Sequence, residues 1–185
     1  MIINSLKREV YYEKKSEKVL KFLKGLHNHI IGNPQFRKNT GRKTEIQIQT
    51  EIRPLIISYL ENYFRERGYK DVEAKAIKSF YWEGQEGLYG KERTKTFGSR
   101  NYPDYIITDP YIIAVEYKQS AYGSTVKHGV GQCLMHTLCD EFDYVYYLFH
   151  DQNKDKRIEN SIDNKKESKI IRKMWDDFNV MIKFV

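Results

Sequence analysis

Residues 102–119 read YPDYIITDPYIIAVEYKQ, and the fold turns on how this stretch pairs with itself. Two runs rich in Ile, Val and Tyr flank Asp109-Pro110, the pattern of two strands joined by a turn. Side chains on a strand alternate between faces. Asp104, Ile106 and Thr108 therefore share one face of the first strand, and Ile112, Ala114, Glu116 and Lys118 share one face of the second. A three-residue loop of Asp109, Pro110 and Tyr111 pairs Thr108 with Ile112 and so sets Asp104 directly opposite Glu116. Opposed residues lie roughly 4.5–5.5 Å apart and like charges there are destabilising, so the pair calls for a bound cation. Lys118, about 6–7 Å further along the same face by strand rise, reaches the same cavity. A two-residue loop would reverse the parity and scatter the cluster.

Composition sets the frame for this hairpin. At 185 residues, 40% hydrophobic and 31% charged, the chain reads as one globular domain able to bury a core without disulfides. A net charge of +7 and a pI near 9.2 favour a polyanionic partner. Cys133 and Cys139 match neither a redox nor a zinc spacing and fall in a helical run, where small core thiols are common. The opening residues lack a secretory leader, and no apolar run approaches the ~18–20 residues that span a bilayer. No membrane association is expected, and an intracellular location is (cytoplasm, or host cytoplasm for a viral protein).

Working outward, Leu6–Ile30 carries an apolar stripe of helical period, with His27 and His29 too far apart around the helix to share a metal. Gly32-Asn33-Pro34 breaks it, and Gln35–Lys43 reads as a basic loop. Ile48, Ile52, Leu55, Ile56, Tyr59, Leu60, Tyr63 and Phe64 make Thr44–Arg67 a helix that either kinks at Pro54 or begins near Thr50 with the proline in its first turn. Val72–Trp82 alternates like a strand. Glu83–Asn101, glycine-rich and holding Lys91, Arg93, Lys95 and Arg100, is either a flap over a polyanion groove or a solvated loop. After the hairpin, Ser120–Ser124 turns into a helix over Thr125–Cys139. Asp143–Phe149 is a strand, parallel to its neighbour because a helix connects them. Asp151–Glu167 reads as a surface excursion, Ser168–Phe178 as a helix and Val180–Val185 as an edge strand.

Pro103-Asp104, followed after residues 105–115 by Glu116-Tyr117-Lys118, resembles the PD-(D/E)XK nuclease superfamily. The order from Thr44 (helix, three strands, helix, strand) matches that family's αβββαβ core over about residues 44–150. The resemblance implies a restriction-endonuclease-like α/β fold, a mixed central sheet flanked by helices, with an extra N-terminal helix and a C-terminal helix and strand, in a single domain over 1–185. It further implies that Asp104 and Glu116, with the Tyr117 carbonyl, hold Mg²⁺ or Mn²⁺ and that Lys118 orients or deprotonates the attacking water. As a general base Lys118 needs a lowered pKa. A glutamate on the first core helix faces the metal in this family. Glu51 is chosen for that place over Glu45, against a plain role in favouring the helix N-terminus. Gln132 and His136 stand where related nucleases carry Gln-x-x-x-Tyr, with Gln132 toward the scissile phosphate; the histidine departs from the exonuclease branch. Lys127 and His128 stand near the start of that helix, where phosphate contacts are easy.

The expected activity is that of a metal-dependent DNA endonuclease, structure-selective in the manner of junction resolvases or viral replication and recombination nucleases. RNA remains open as a substrate. A double cut by one centre per chain points to a homodimer. The competing readings are a non-catalytic nucleic-acid-binding module on the same fold, and a chance motif in which Lys118 simply pairs with Glu116.

Overall fold

The computed structural model describes residues 2–39, 43–83, 85, 95–96, 99–100, 102–138 and 141–185, with the backbone alone for 2–15, 37–39, 95–96 and 99–100. In chain order these form α1 (Ile2–Gly32), α2 (Pro34–Asn39), α3 (Glu45–Arg65), α4 (Val72–Lys78), β1 (Phe80–Trp82), β2 (Lys95–Thr96), β3 (Ser99–Arg100), β4 (Tyr105–Ile107), β5 (Ile113–Ser120), α5 (Gly123–Leu138), β6 (Tyr144–Asp151), α6 (Arg157–Ser161), α7 (Lys165–Phe178) and β7 (Val180–Phe184). The architecture is α/β: a five-stranded mixed sheet of order β1-β4-β5-β6-β7 with helices on both faces. β1, β4 and β5 run antiparallel, while β5, β6 and β7 run parallel through helical crossovers. Among the described residues no helix is long and apolar enough to cross a membrane.

The sheet's two faces bury two cores. Tyr105, Ile107, Ile113, Val115, Tyr117, Tyr146 and Leu148 meet α1, α3 and α4 through Leu23, Leu26, Ile48, Ile52, Ile56 and Ala76. Ala114, Val145, Tyr147, Phe149, Val180 and Ile182 meet Cys133 of α5 and Met174 of α7. Adjacent residues of β5 thus serve opposite cores, as period-two alternation requires, and Glu116 and Lys118 fall on the α5 side. His27 and His29 are satisfied structural histidines: His27 Nδ1 lies 2.9 Å from the Tyr146 hydroxyl and His29 Nε2 lies 2.8 Å from Ser58 Oγ.

α3 starts at Glu45 and continues through Pro54 without a break. A capping box fixes the start: Thr44 Oγ1 accepts from the Gln47 N–H at 3.3 Å and Gln47 Oε1 accepts from the Thr44 N–H at 2.9 Å. An interior proline costs about 3 kcal/mol. Ile48, Ile52, Ile56, Leu60 and Phe64 are all fully buried, and at about 1.5–3 kcal/mol for each such side chain they outweigh it.

Four expected elements differ. Gln35–Lys43 is not simply a basic loop, because α2 forms at once: Asn33 Oδ1 caps the Gln35 and Phe36 N–H groups, Pro34 takes the first helical position and Phe36 is buried. Val72–Trp82 is a strand only over Phe80–Trp82. Its first part, VEAKAIK, is α4, with good helix formers and with Val72 and Ala76 one turn apart against the core. Asp151–Glu167 contains α6 and the start of α7, organised by a buried Asp151 carboxylate that accepts from the Ile158 and Glu159 N–H groups at 2.8 and 3.0 Å. The fourth difference is the motif loop. Tyr105 pairs with Val115, Ile106 with Ala114 and Ile107 with Ile113, the expected register, yet Thr108 and Ile112 do not extend the ladder. The Thr108 N–H bonds instead to the Ser79 carbonyl at 2.9 Å, and the Ile112 carbonyl accepts from the Asp143 and Tyr144 N–H groups. The connection is thus five residues, Thr108–Ile112, with a cis Asp109-Pro110 bond, and parity survives because five and three are both odd.

Candidate functional site

Extending that register by one pair places Asp104 beside Glu116, both buried at 8% and 1% exposure. Lys118 Nζ lies 4.0 Å from Asp104 Oδ2 and 3.9 Å from Glu116 Oε2, so the three expected residues meet. Each carboxylate is also held from behind. Asp104 Oδ1 accepts from Gln49 Nε2 at 2.8 Å and Oδ2 from the Tyr117 N–H at 2.7 Å. Glu116 Oε1 lies 2.7 Å from Nε2 of His136, itself buried on α5 and packed edge-on against Phe142.

Burial, and then the Glu116 carboxylate, push the Asp104 carboxyl well above the usual carboxylate range, although Lys118 and the Tyr117 N–H pull it back. For Lys118 burial works against the charge, but Asp104, Glu116 and Glu45 outweigh it and the ammonium is held above its ordinary pKa. The lowered value expected of a general base is therefore not found, because three acids surround one amine.

The acid that α3 supplies is Glu45. Its Oε1 lies 3.1 Å from Lys118 Nζ, while Glu51 pairs with Lys43. With the helix starting at Glu45, Glu45 and Gln49 are one turn apart on one flank of the buried Ile48–Ile52 stripe and Glu51 is on the other. Gln132 does reach the site. With Lys118, Ser124, Thr125, His128 and Gly129 it lines a cleft of about 410 Å³ at the N-terminal half of α5. Its Oε1 is buried without a hydrogen-bond partner among the described residues. Lys127 faces elsewhere, into a groove shared with Arg157, Ile158, Lys166 and Ile170, and His128 takes the cleft position instead.

Tyr147, paired with Glu116 in the parallel register, buries a hydroxyl that likewise has no hydrogen-bond partner among the described residues. A Cβ on Gly129 would come within 2.2 Å of that oxygen, so the glycine is what lets the ring reach under α5. Of the basic loop, Lys95 and Arg100 are backbone register partners in the short β2–β3 ladder, and Lys91 and Arg93 lie outside the described residues, as does Cys139.

His136, Gln49 and Glu45 are the site residues that the motif alone does not select. Their signals were helical spacing, four residues from Gln132 for His136 and the Thr44–Gln47 capping box for the α3 pair. Among the described residues no group of three or more His, Cys, Asp or Glu side chains is placed to hold a metal ion. The two facing acids nonetheless suit Mg²⁺ or Mn²⁺, ions that keep most of their waters and take one or two carboxylates alongside substrate phosphates. Comparison with known proteins returns no matching family model, no matching curated protein and no matching solved structure.

Proposed function

We propose that the chain is a metal-dependent DNA endonuclease of the PD-(D/E)XK kind, with the restriction-endonuclease-like version of the α/β fold, acting on DNA structure rather than sequence. The observation that carries this reading is the approach of Lys118 Nζ to within 4.0 Å of both Asp104, immediately before β4, and Glu116 on β5, with both acids buried and Lys118 lining a cleft with His128 and Gln132. Two buried acids facing an anionic ligand serve no binding purpose without a cation.

Asp104 and Glu116, with the Tyr117 carbonyl, would hold a hydrated Mg²⁺ or Mn²⁺, which when bound would supply charge neutralisation of the phosphodiester and a more acidic water. The chain's own residues do the rest. Lys118, kept as an ammonium by its acidic neighbours, pairs with the phosphoryl oxygens and stabilises the extra charge of the pentavalent transition state. Ser124 and Thr125, at the exposed N–H end of α5, and His128 contact phosphate, and Gln132 orients it. Glu45 and Gln49 hold Lys118 and Asp104 in place from α3. Cutting both strands requires a two-fold pair of chains.

The test is incubation with supercoiled, linear, branched and single-stranded DNA and with RNA, in Mg²⁺, Mn²⁺ or EDTA, beside Asp104→Ala and Lys118→Ala. Cleavage that needs metal and disappears in both variants is expected. Intact wild-type protein that cuts nothing under any metal sinks the proposal. The Lys118 ammonium, itself a cation within 4.0 Å of both acids, favours a second reading, a nucleic-acid-binding module. Retarded migration of DNA without cleavage would select it.

A further inference from the structure

We propose that His136 sets the cation preference of this site by holding Glu116 to a single available oxygen. The inference rests on the cation-dependent reading above and deepens it. His136 Nε2 and Glu116 Oε1 are 2.7 Å apart with both side chains almost wholly buried, a length typical of a charge-assisted bond. Facing a carboxylate, which only accepts, the imidazole donates from Nε2, and the bond selects the form of the ring that carries that proton. Oε1 is thereby engaged on the α5 side, and Oε2 is the oxygen turned to Lys118, at 3.9 Å.

Asp104 is held more tightly still: Oδ1 accepts from Gln49 and Oδ2, the oxygen turned to Lys118, also accepts from the Tyr117 N–H at 2.7 Å, so Oδ2 has one remaining lone pair for the shared space. Neither acid is free to offer both oxygens to the shared space: Oε2 of Glu116 and Oδ2 of Asp104 are the ones turned to it. Mg²⁺ and Mn²⁺ fill a small octahedron from single oxygens and waters. Ca²⁺ gathers six to eight oxygens at longer distances and often takes both oxygens of one carboxylate. A Glu116 pinned by His136 refuses that second mode. Phe142, edge-on to the imidazole with ring centroids 5.6 Å apart, keeps the ring from swinging aside.

Two variants of equal polarity separate reach from packing. His136→Gln carries an amide N–H to about the same extent as the imidazole, whereas His136→Asn is one methylene too short to touch Oε1. Isothermal titration with Mn²⁺ and with Ca²⁺, on the full chain without DNA, reads the ratio of the two dissociation constants. We expect wild type and His136→Gln to prefer Mn²⁺. His136→Asn should lose about 10- to 100-fold in Mn²⁺ affinity, the usual cost of removing a residue that orients a metal ligand, with a much smaller change for Ca²⁺, so the ratio collapses. A His136→Asn protein that melts like wild type, binds Mn²⁺ and keeps the wild-type ratio overturns this assignment while leaving the cation site standing. A wild type that binds neither ion overturns both.

Discussion

Lys118 Nζ and Glu45 Oε1 lie 3.1 Å apart and join the C-terminal half of β5 to the first turn of α3. Both ends are partly exposed to water, so the pair itself contributes at most about 1 kcal/mol to stability. Its weight is in aiming the ammonium. Glu45→Gln is expected to leave the urea midpoint nearly unchanged while lowering cleavage about 10- to 100-fold, the usual cost of a misplaced reacting group. Glu51→Gln, which breaks only the Lys43 pair, should cut like wild type; equal losses in the two variants would contradict the assignment.

Asp104→Asn removes one of two buried, mutually repelling acids and keeps an oxygen for the Tyr117 N–H. At pH 8, without added metal, the variant should unfold at a free energy equal to wild type or about 1 kcal/mol above it. It should also lose the rise in melting temperature that Mn²⁺ gives the wild type. A strongly destabilised Asp104→Asn would mean that the carboxylate is structural.

The buried Tyr147 hydroxyl has no hydrogen-bond partner among the described residues. A buried polar group left so costs about 1–3 kcal/mol, and Tyr147→Phe is therefore expected to preserve or raise stability in chemical denaturation. Gly129→Ala should act in the opposite direction. The added methyl meets Tyr147 Oη at 2.2 Å and Cζ at 2.4 Å, and overpacking of this kind costs about 1–3 kcal/mol. A neutral Gly129→Ala would show that α5 does not ride this closely on β6.

Burial lowers the His27 and His150 pKa values to about 4, with Lys183 and Lys156 adding to the effect. The folded values lie below the unfolded one of 6.5, so the stability these rings contribute is complete above 6.5 and is lost as pH falls toward 4. The loss is on the order of 2 kcal/mol per histidine. Asp104 works in the other sense, since its raised carboxyl pKa favours the folded state at low pH. Urea titrations across this range should therefore fall most steeply in Asp104→Asn and flatten in His27→Gln. A curve unchanged by His27→Gln would place the proton uptake elsewhere.

The parts of the fold visible in the sequence are those that depend on parity and period. Glu116 and Asp104 could be aligned because a strand has only two faces and an odd loop keeps them matched. The α3 stripe from Ile48 to Phe64 could be followed because its burial is continuous. α4 was hidden because VEAKAIK also alternates, and only the fit of Val72 and Ala76 against the core decides the period. Glu45 and Glu51 were separable in principle. Thr44 and Gln47 form a capping box in the sequence itself, and once the helix starts there, the flank of each acid follows. His136 was harder, since its partner Glu116 comes from another element and no local pattern joins them.

The outward bonds of the Thr108–Ile112 connection, to Ser79 on one side and to Asp143 and Tyr144 on the other, make it an indexing device for the whole sheet. Inserting one residue there would force the chain to break those bonds or to shift β5 by one position against β4. The shift would carry Glu116 and Lys118 through the sheet to the α3 face and bring Tyr117 round to α5. The chemistry at Glu116 is thus set at Ile112, roughly 13 Å away by strand rise, by a turn that never touches it.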